Sequence, residues 1–387
     1  MIVDELRVIG STQTNVVMAA ELTRVAQRAL ARRPPVPRKE GLGQLIYPFD
    51  PELAWAAVSY LRTPTRVLWD VYRSSATRLE PLYDELVGDV RGDGRPLARD
   101  GGAISVEVRR VEAFAAGERQ IVGTVKNALI DGAARRGVRL HVDPERPATR
   151  WVARGDERGD VVVSIDLGGG SLSQRGWRRD AGEAPLREHL AAVLLMLCRF
   201  DPRSDALVDP MCGSGTIPIE AICAARAAPR PTPALAALGL ARPAAPLFPD
   251  AAPLVIGCDH DLGVLAAARD NGRAAGVADQ VIWQRADATR LTPEVIADIA
   301  RERGRAAPAT GLLLANPPDG ERLDDADTAE LYAALGETCR RFTGWRAGFL
   351  VGSPDFERAF ARSVGRPRIK KPLANANLRA YFYLYEL

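Results

Sequence analysis

Four consecutive residues, Asn316-Pro317-Pro318-Asp319, follow the apolar run "GLLLA" (311–315) and could carry amine chemistry. An exocyclic base amine is a poor nucleophile because its lone pair is delocalised into the ring. The Asn316 side-chain oxygen and the Pro317 carbonyl can accept that amine's two hydrogens. This draws the nitrogen toward tetrahedral geometry and aims the lone pair at an electrophilic methyl group. The two prolines fix the backbone so that a carbonyl unpaired with any neighbouring strand faces a ligand. Such a site works by orientation and electrostatic preorganisation, and no strong general base is needed.

Three other polar stops precede this one. "DPMCGSGT" comprises Asp209, Pro210, Met211, Cys212, Gly213, Ser214, Gly215 and Thr216. Gly213 and Gly215 allow a tight turn with close backbone approach, and the helix after it offers free N–H groups. No Lys-Ser/Thr follows the glycines, so this is not a phosphate loop, and Ile217-Pro218 departs from the dinucleotide pattern. Next comes Cys258-Asp259-His260, where the Asp259 carboxylate can take both hydroxyls of a ribose. Then comes Asp287-Ala288, with Asp287 positioned to accept from an adenine amino group. Each acid alone reads as a solvated loop charge. Four polar stops at four successive strand ends, in this order, read jointly as a nucleoside-cofactor site across the carboxyl ends of a parallel sheet.

The elements that must hold these stops alternate accordingly. From about 186 the pattern is strand–helix–strand–helix, the sign of a parallel sheet. Helices are expected at 186–200, 216–227, 262–276 and 327–342, a strand and then a Gly-rich turn at 206–215, and strands at 254–261, 280–288, 311–318, 346–353 and 378–387. Before residue 165 the texture is α+β. Helices are expected at 20–30 and 119–137, the latter with Val122, Val125, Leu129 and Ile130 on one face and Lys126, Arg135 and Arg136 exposed. Residues 51–73 read as a helix leading, past the Thr-Pro turn, into a strand, and strands are expected at 103–113 and 161–170. "RRPPVPR" (32–38) must be a loop, and the Pro/Ala-rich stretch 226–253 reads as a loop excursion.

Composition sets the outer limits. The chain has 387 residues, enough for two or three cores; 47% are hydrophobic and 26% charged, with a net charge of +3. That charge neither demands nor excludes nucleic acid. The five cysteines lack metal-ligand spacing with the three histidines, so reduced thiols, a cytoplasmic location and no metal are expected. No signal peptide and no membrane span are expected. Arg175, Arg178 and Arg187, and further on Lys370 and Lys371, form basic patches that read as a phosphate rail or as ordinary solvated faces.

Taken together, these residues resemble the class I S-adenosylmethionine-dependent methyltransferases, and within them the THUMP-domain RNA guanine-N2 methyltransferases. The similarity is greatest to the THUMP-plus-catalytic half of the large-subunit ribosomal RNA family. "GGGSLSQRGWRRDAGEAPLREHLAA" (168–192) resembles that family's link, "DPMCGSGTIPIEA" (209–221) its cofactor loop, "NPPDGERL" (316–323) its catalytic loop and "KKPLANANLRAYFYLYEL" (370–387) its last hairpin. The resemblance implies an N-terminal ferredoxin-like element (1–60), a THUMP-like RNA-binding domain (61–170) and a Rossmann-like methyltransferase domain (171–387). It implies S-adenosylmethionine on Asp209 through Thr216, Asp259, His260, Asp287, Ala288 and Asn316. The target amine would lie on Asn316 to Asp319, and RNA on Lys126, Arg135, Arg136, Arg175, Arg178, Arg187, Lys370 and Lys371. The partner implied is ribosomal or transfer RNA, taken by a monomer. Asp319 departs from the pattern, which has an aromatic there to stack on the base. A catalytically weak RNA-binding assembly factor, or a methyltransferase acting on DNA or a small amine, are the competing readings.

Overall fold

The computed structural model describes residues 1–89, 100–111, 114–156, 158–178, 186–318, 325–353, 355–375 and 378–387. The chain forms two compact units that are not separated by a single cut. Unit 1 holds Met1–Gly10, Met18–Leu172 and Pro229–Ala244; unit 2 holds Ser11–Val17, Ser173–Ala228 and Ala245–Leu387.

Unit 1 is built on an eight-stranded sheet. Its strands are β1 (Ile2–Ile9), β2 (Arg38–Glu40), β3 (Gln44–Pro48), β4 (Arg66–Ser74), β5 (Gly102–Arg109), β6 (Leu140–Val142), β7 (Thr149–Gly155) and β8 (Val161–Asp166), in the order β2-β3-β1-β4-β8-β7-β5-β6. β1 pairs antiparallel with β4, Leu6 opposite Trp69, so residues on both sides of position 60 share one sheet. Strand alternation sends Leu6 and Val8 into the core and Arg7 to the other face. There Asp70 accepts from Arg7 Nε at 2.8 Å, Arg154 Nη2 at 2.9 Å and Ser164 Oγ at 2.6 Å. Truncating one partner of such a buried cluster strands a charge, which costs about 3–5 kcal/mol.

The helices of unit 1 before its last segment are α1 (Asn15–Leu30), whose first residues fall in unit 2, α2 (Pro51–Tyr60), α3 (Leu79–Asp89) and α4 (Glu118–Ala134). α2 starts where Asp50 accepts from the N–H groups of Glu52 and Leu53, with Pro51 in the first turn. α4 buries Ile121, Val125, Ala128, Leu129 and Gly132, whereas Val122 and Ile130 are only half-buried. The apolar stripe is thus rotated from the expected one, because the i, i+4, i+7, i+8, i+11 series starts at Ile121.

Unit 2 begins with α5 (Glu188–Leu197), β9 (Ala206–Asp209) and α6 (Thr216–Arg226). The stretch after α6, expected as a loop, carries the short helix α7 (Pro233–Ala237) and belongs to unit 1 for residues Pro229–Ala244. Ala234 and Leu235 are buried there, Arg230 Nη2 donates to the Val58 carbonyl at 2.8 Å, and Trp55 Nε1 donates to the Arg242 carbonyl at 3.1 Å. These contacts with α2 explain why a Pro/Ala-rich segment is ordered.

The rest of unit 2 runs through β10 (Val255–Asp259), α8 (Leu262–Ala274), β11 (Ile282–Arg285), α9 (Pro293–Glu302), β12 (Gly311–Ala315), α10 (Asp325–Cys339), β13 (Arg346–Val351), α11 (Asp355–Ser363), β14 (Ile369–Asn375) and β15 (Leu378–Glu386). The strand order is β11-β10-β9-β12-β13-β15-β14. The first five are parallel; β15 runs antiparallel to both β13 and β14. Chain progression therefore reverses between β9 and β12, the topological switch point where ligands bind in open α/β sheets. The sequence reading passed over α9 and α11. Thr292, whose hydroxyl accepts from the Val295 N–H, and Pro293 gave the signal for α9.

Among the described residues no helix is long and apolar enough to cross a membrane, and no group of three or more His, Cys, Asp or Glu side chains could hold a metal. All five cysteines are buried free thiols.

In α5, His189 is 2% exposed, and burial, reinforced by Arg175 and Arg187 and opposed by Glu220, lowers its pKa to about 4. Ser11 Oγ lies 2.9 Å from its Nε2, and its Nδ1 is buried without a partner. A folded-state value below the ordinary 6.5 means that the unfolded chain takes up this proton first on acidification. The neutral ring's contribution is complete above about pH 6.5 and falls as pH drops toward 4, by about 3 kcal/mol in all. Denaturant unfolding at pH 7 and pH 5 is expected to show a smaller stability loss in His189→Gln than in the wild type.

Candidate active site

The four strand-end stops lie along one edge of the unit 2 sheet, since β9, β10, β11 and β12 are adjacent and parallel. Asp209 ends β9. Its side chain is 1% exposed, accepts the Met211 N–H at 3.1 Å, and is pushed by burial well above the usual carboxylate range. Asp259 ends β10. Its Oδ2 accepts the Gly213 N–H at 3.1 Å and its Oδ1 accepts the Asp261 N–H at 3.1 Å, so the acid braces the glycine turn from the next strand. The Cys212 N–H donates to the Cys258 carbonyl at 2.7 Å and closes the same contact through the backbone.

Gly213 and Gly215 have φ of +52° and +86°, conformations L side chains rarely adopt. A Cβ on Gly213 would meet nothing within 4 Å, so that face of the turn is open to a ligand. A Cβ on Gly215 would lie 2.7 Å from the Trp283 ring, and one on Gly257 2.9 Å from it. Trp283 stands opposite Gly257 on β11, and Gly257 stands opposite Asp209 on β9. The glycine at 257 leaves the indole room to lie across the sheet and support the turn from below. The sequence reading missed Trp283, since nothing local couples it to glycines 26 and 68 residues upstream.

The turn is also clamped from the other side. Arg178 donates from Nη2 to Thr216 Oγ1 at 3.0 Å and to the Leu186 carbonyl at 2.9 Å, from Nη1 to Ser214 Oγ at 3.4 Å and from Nε to Glu188 at 3.0 Å. Arg175, 2% exposed along its side chain, pairs with the buried Glu220 of α6 at 3.2 Å. Both arginines were expected on an RNA rail. They point instead into unit 2, where buried carboxylates and hydroxyls hold their planar donor forks. Trp177 is buried beside Arg178, whose guanidinium sits 5.3 Å from its ring.

Asp287 follows β11 by two residues and caps a 3₁₀ turn over Ala288–Arg290, its Oδ1 accepting from the Thr289 N–H at 2.9 Å and hydroxyl at 2.7 Å. These bonds hold its carboxyl below the usual range, and the residue is exposed, while Ala288 is buried. The His260 imidazole is exposed, with Nδ1 3.4 Å from Asp259 Oδ1, and its carbonyl accepts from Arg285. Pro210 is buried and Met211 half-buried.

Asn316 follows β12 directly and is partly exposed, whereas Pro317 is buried. The buried Tyr332 of α10 donates its hydroxyl to the Pro318 carbonyl at 3.0 Å, which holds the second proline in place from beneath. Asp319 lies outside the described residues. Of the remaining cations, Arg135, Arg136, Arg187 and Lys370 are exposed, and Lys126 and Lys371 partly so.

A mixed seven-stranded sheet with a glycine turn at its switch point, acids after the two strands on one side and an Asn-Pro-Pro stop on the other defines an α/β domain of the methyltransferase type. Residues 175–379, just over half of the chain, match the family "RMKL-like, methyltransferase domain", and the chain belongs to that family. It is 36% identical over 265 residues to the Ribosomal RNA large subunit methyltransferase K/L of Aeromonas salmonicida, covering 60% of this chain and 35% of that protein. To the protein of the same name from Methylococcus capsulatus it is 32% identical over 371 residues, covering 87% of this chain and 46% of the relative. The chain thus spans between about a third and a half of the curated relatives it matches. Among solved structures, TrmN from Thermus thermophilus superposes with a TM-score of 0.68 at 21% identity, covering 100% of both chains. SMU.472, solved in complex with SAH, gives 0.75 at 24% identity, covering 99% of this chain and 98% of that one. These two likenesses concern the fold.

Proposed function

We propose that the chain is an S-adenosylmethionine-dependent RNA methyltransferase that acts on the exocyclic N2 of a guanine in structured RNA, with large-subunit ribosomal RNA as the substrate. The observation that carries the reading is the placement of Asn316 beside the glycine turn, on adjacent strands β12 and β9 at the switch point. The residues fit the cofactor. The open face at Gly213 would admit it, Asp259 would take the ribose hydroxyls and Asp287 the adenine amine, and the buried Asp209 would gain a cationic partner. When bound, this cofactor supplies an electrophilic methyl group on a sulfonium. Asn316 and the Pro317 carbonyl accept the amine's hydrogens and orient its lone pair; Tyr332 keeps the Pro318 backbone fixed meanwhile. The names of the ribosomal RNA relatives favour that substrate, and the reading gives RNA capture to a THUMP-like domain over residues 61–170.

Nucleoside mass spectrometry of ribosomal and transfer RNA, with and without the gene, tests the reading. Loss of N2-methylguanosine from large-subunit RNA is expected; loss from transfer RNA alone would move the substrate, and no loss would remove the activity. Calorimetry with S-adenosylmethionine separates a cofactor binder from a non-binder, and tritiated methyl transfer to RNA from cells lacking the gene separates an enzyme from a scaffold that keeps cofactor binding as a relic.

Arg178 bears on the cofactor. Arg178→Lys keeps the charge but cannot reach Ser214, Thr216, Glu188 and the Leu186 carbonyl at once. Hydrogen bonds to charged groups contribute about 1.5–3 kcal/mol each, so S-adenosylmethionine is expected to bind about tenfold more weakly. RNA affinity measured by fluorescence anisotropy should stay constant. A matching fall in RNA affinity with unchanged cofactor binding would restore Arg178 to the RNA surface.

A further inference from the structure

The last third of unit 2 carries a charge imbalance that the cofactor site does not use. Residues 355–371 contain six cations (Arg358, Arg362, Arg366, Arg368, Lys370 and Lys371) against two acids, Asp355 and Glu357. Their net charge exceeds the +3 of the whole chain, which leaves the remainder slightly acidic. α11 buries Phe356 and Phe360 against Phe349, Tyr383 and Tyr385, and so turns Arg358 and Arg362 outward. Between α11 and β14 lies an open depression of about 510 Å³, lined by Glu357, Arg358, Ala361, Gly365, Arg366, Pro367 and Lys370.

Beside it is an aromatic surface. Tyr381 of β15 is 37% exposed, and Lys370 Nζ sits 5.2 Å from its ring centre and 5.7 Å from that of Tyr383. Tyr381 stands opposite Val351, the last residue of β13, so its ring lies toward the same sheet edge as Asn316. The strand order places β14 three strands beyond β12, about 14 Å away at normal strand spacing. Two or three nucleotides of a single strand cover that span.

A solvated edge is the plainer account, since Lys and Pro on an edge strand such as β14 discourage pairing with other chains. Edge protection requires neither cations grouped around a depression on the helix side nor an exposed ring next to them. We propose that this depression and Tyr381 form an RNA-contact surface. It holds the phosphates of nucleotides flanking the target on Arg358, Arg366 and Lys370, and stacks one base on Tyr381. The proposal rests on the RNA methyltransferase reading and names where the substrate strand leaves the site. Arg358 is paired with Asp355 at 3.2 Å and Lys370 with Glu357, so a phosphate must compete with both acids.

That competition supplies a test with opposite signs. The probe is a fluorescein-labelled 20-nucleotide poly(U) strand, titrated with the full chain across a range of salt concentrations. The triple variant Arg358→Gln, Arg366→Gln and Lys370→Gln is expected to reduce the slope of log K against log salt by about 2, as three lost phosphate contacts on a single strand require. Glu357→Gln is expected to tighten binding severalfold. Tyr381→Leu should weaken it, while Tyr381→Phe should not. S-adenosylmethionine affinity, read by calorimetry, should be unchanged in every variant, which excludes misfolding as the cause. An unchanged slope in the triple variant, or weaker binding in Glu357→Gln, would overturn the surface while leaving the methyltransferase reading intact. Absence of cofactor binding and methyl transfer in the wild type would instead overturn that reading and this surface with it.

Discussion

Asn316→Ala is expected to lower methyl transfer to RNA by about 10²–10³-fold, equivalent to about 2.7–4 kcal/mol of transition-state stabilisation. In the proposed site the Asn316 side-chain oxygen would accept the amine's hydrogen, which becomes more acidic as the new N–C bond forms. Its loss therefore affects the transition state more than either bound ground state. S-adenosylmethionine affinity should stay within about threefold, because in the proposed site most of the cofactor's anchors, Asn316 aside, would lie on β9, β10 and the turn after β11. Tritiated methyl transfer at saturating cofactor and RNA measures the first quantity, and calorimetry the second. An equal loss in both would mean that Asn316 holds the cofactor rather than the amine.

Gly215→Ala should be strongly destabilising. Its φ of +86° costs an L residue about 1–2 kcal/mol, and the new Cβ would stand 2.7 Å from Trp283 Cη2 and 3.1 Å from Cζ3. The added Cβ would also stand 3.2 Å from Ala268 Cβ, the buried indole already lies close over Gly257, and overpacking adds about 1–3 kcal/mol. Gly213→Ala is the control. Its φ is also positive, but the added methyl meets open space, so only the backbone penalty of about 1 kcal/mol applies. Denaturant midpoints should rank wild type, Gly213→Ala, Gly215→Ala in falling stability. Adding Trp283→Phe should recover part of the loss in Gly215→Ala but none in Gly213→Ala. If the two alanines cost the same, the support of the turn by Trp283 is wrong.

The parallel sheet of unit 2 was legible because its signal is local. Apolar runs such as 311–315 end in a polar residue, and the runs between them have helical period, so element type follows from neighbours a few positions apart. The glycine turn was legible for the same reason, since Gly213 and Gly215 declare a backbone conformation by themselves. Helices α9 and α11 were passed over although Thr292-Pro293 and the charged outer face of α11 are also local signals. The stripe on α4 was misplaced because a shift of one residue along a helix turns a face by about 100°.

The sequence by itself determined which residues stand at the strand ends, an Asn-Pro-Pro stop, a glycine turn and two acids, because residue type and spacing are local. The tertiary structure alone decided which residues support them. Trp283 reaches Gly215 across Gly257 only because three strands align in register, and Arg178 reaches Ser214 and Thr216 only after the chain has folded back on itself. The same holds for Pro229–Ala244, a segment that lies between two elements of unit 2 yet packs in unit 1. A side chain's partner across a sheet or a fold-back is set by register and packing over tens of residues, and a charge in the sequence reads the same whether it faces water or a buried carboxylate.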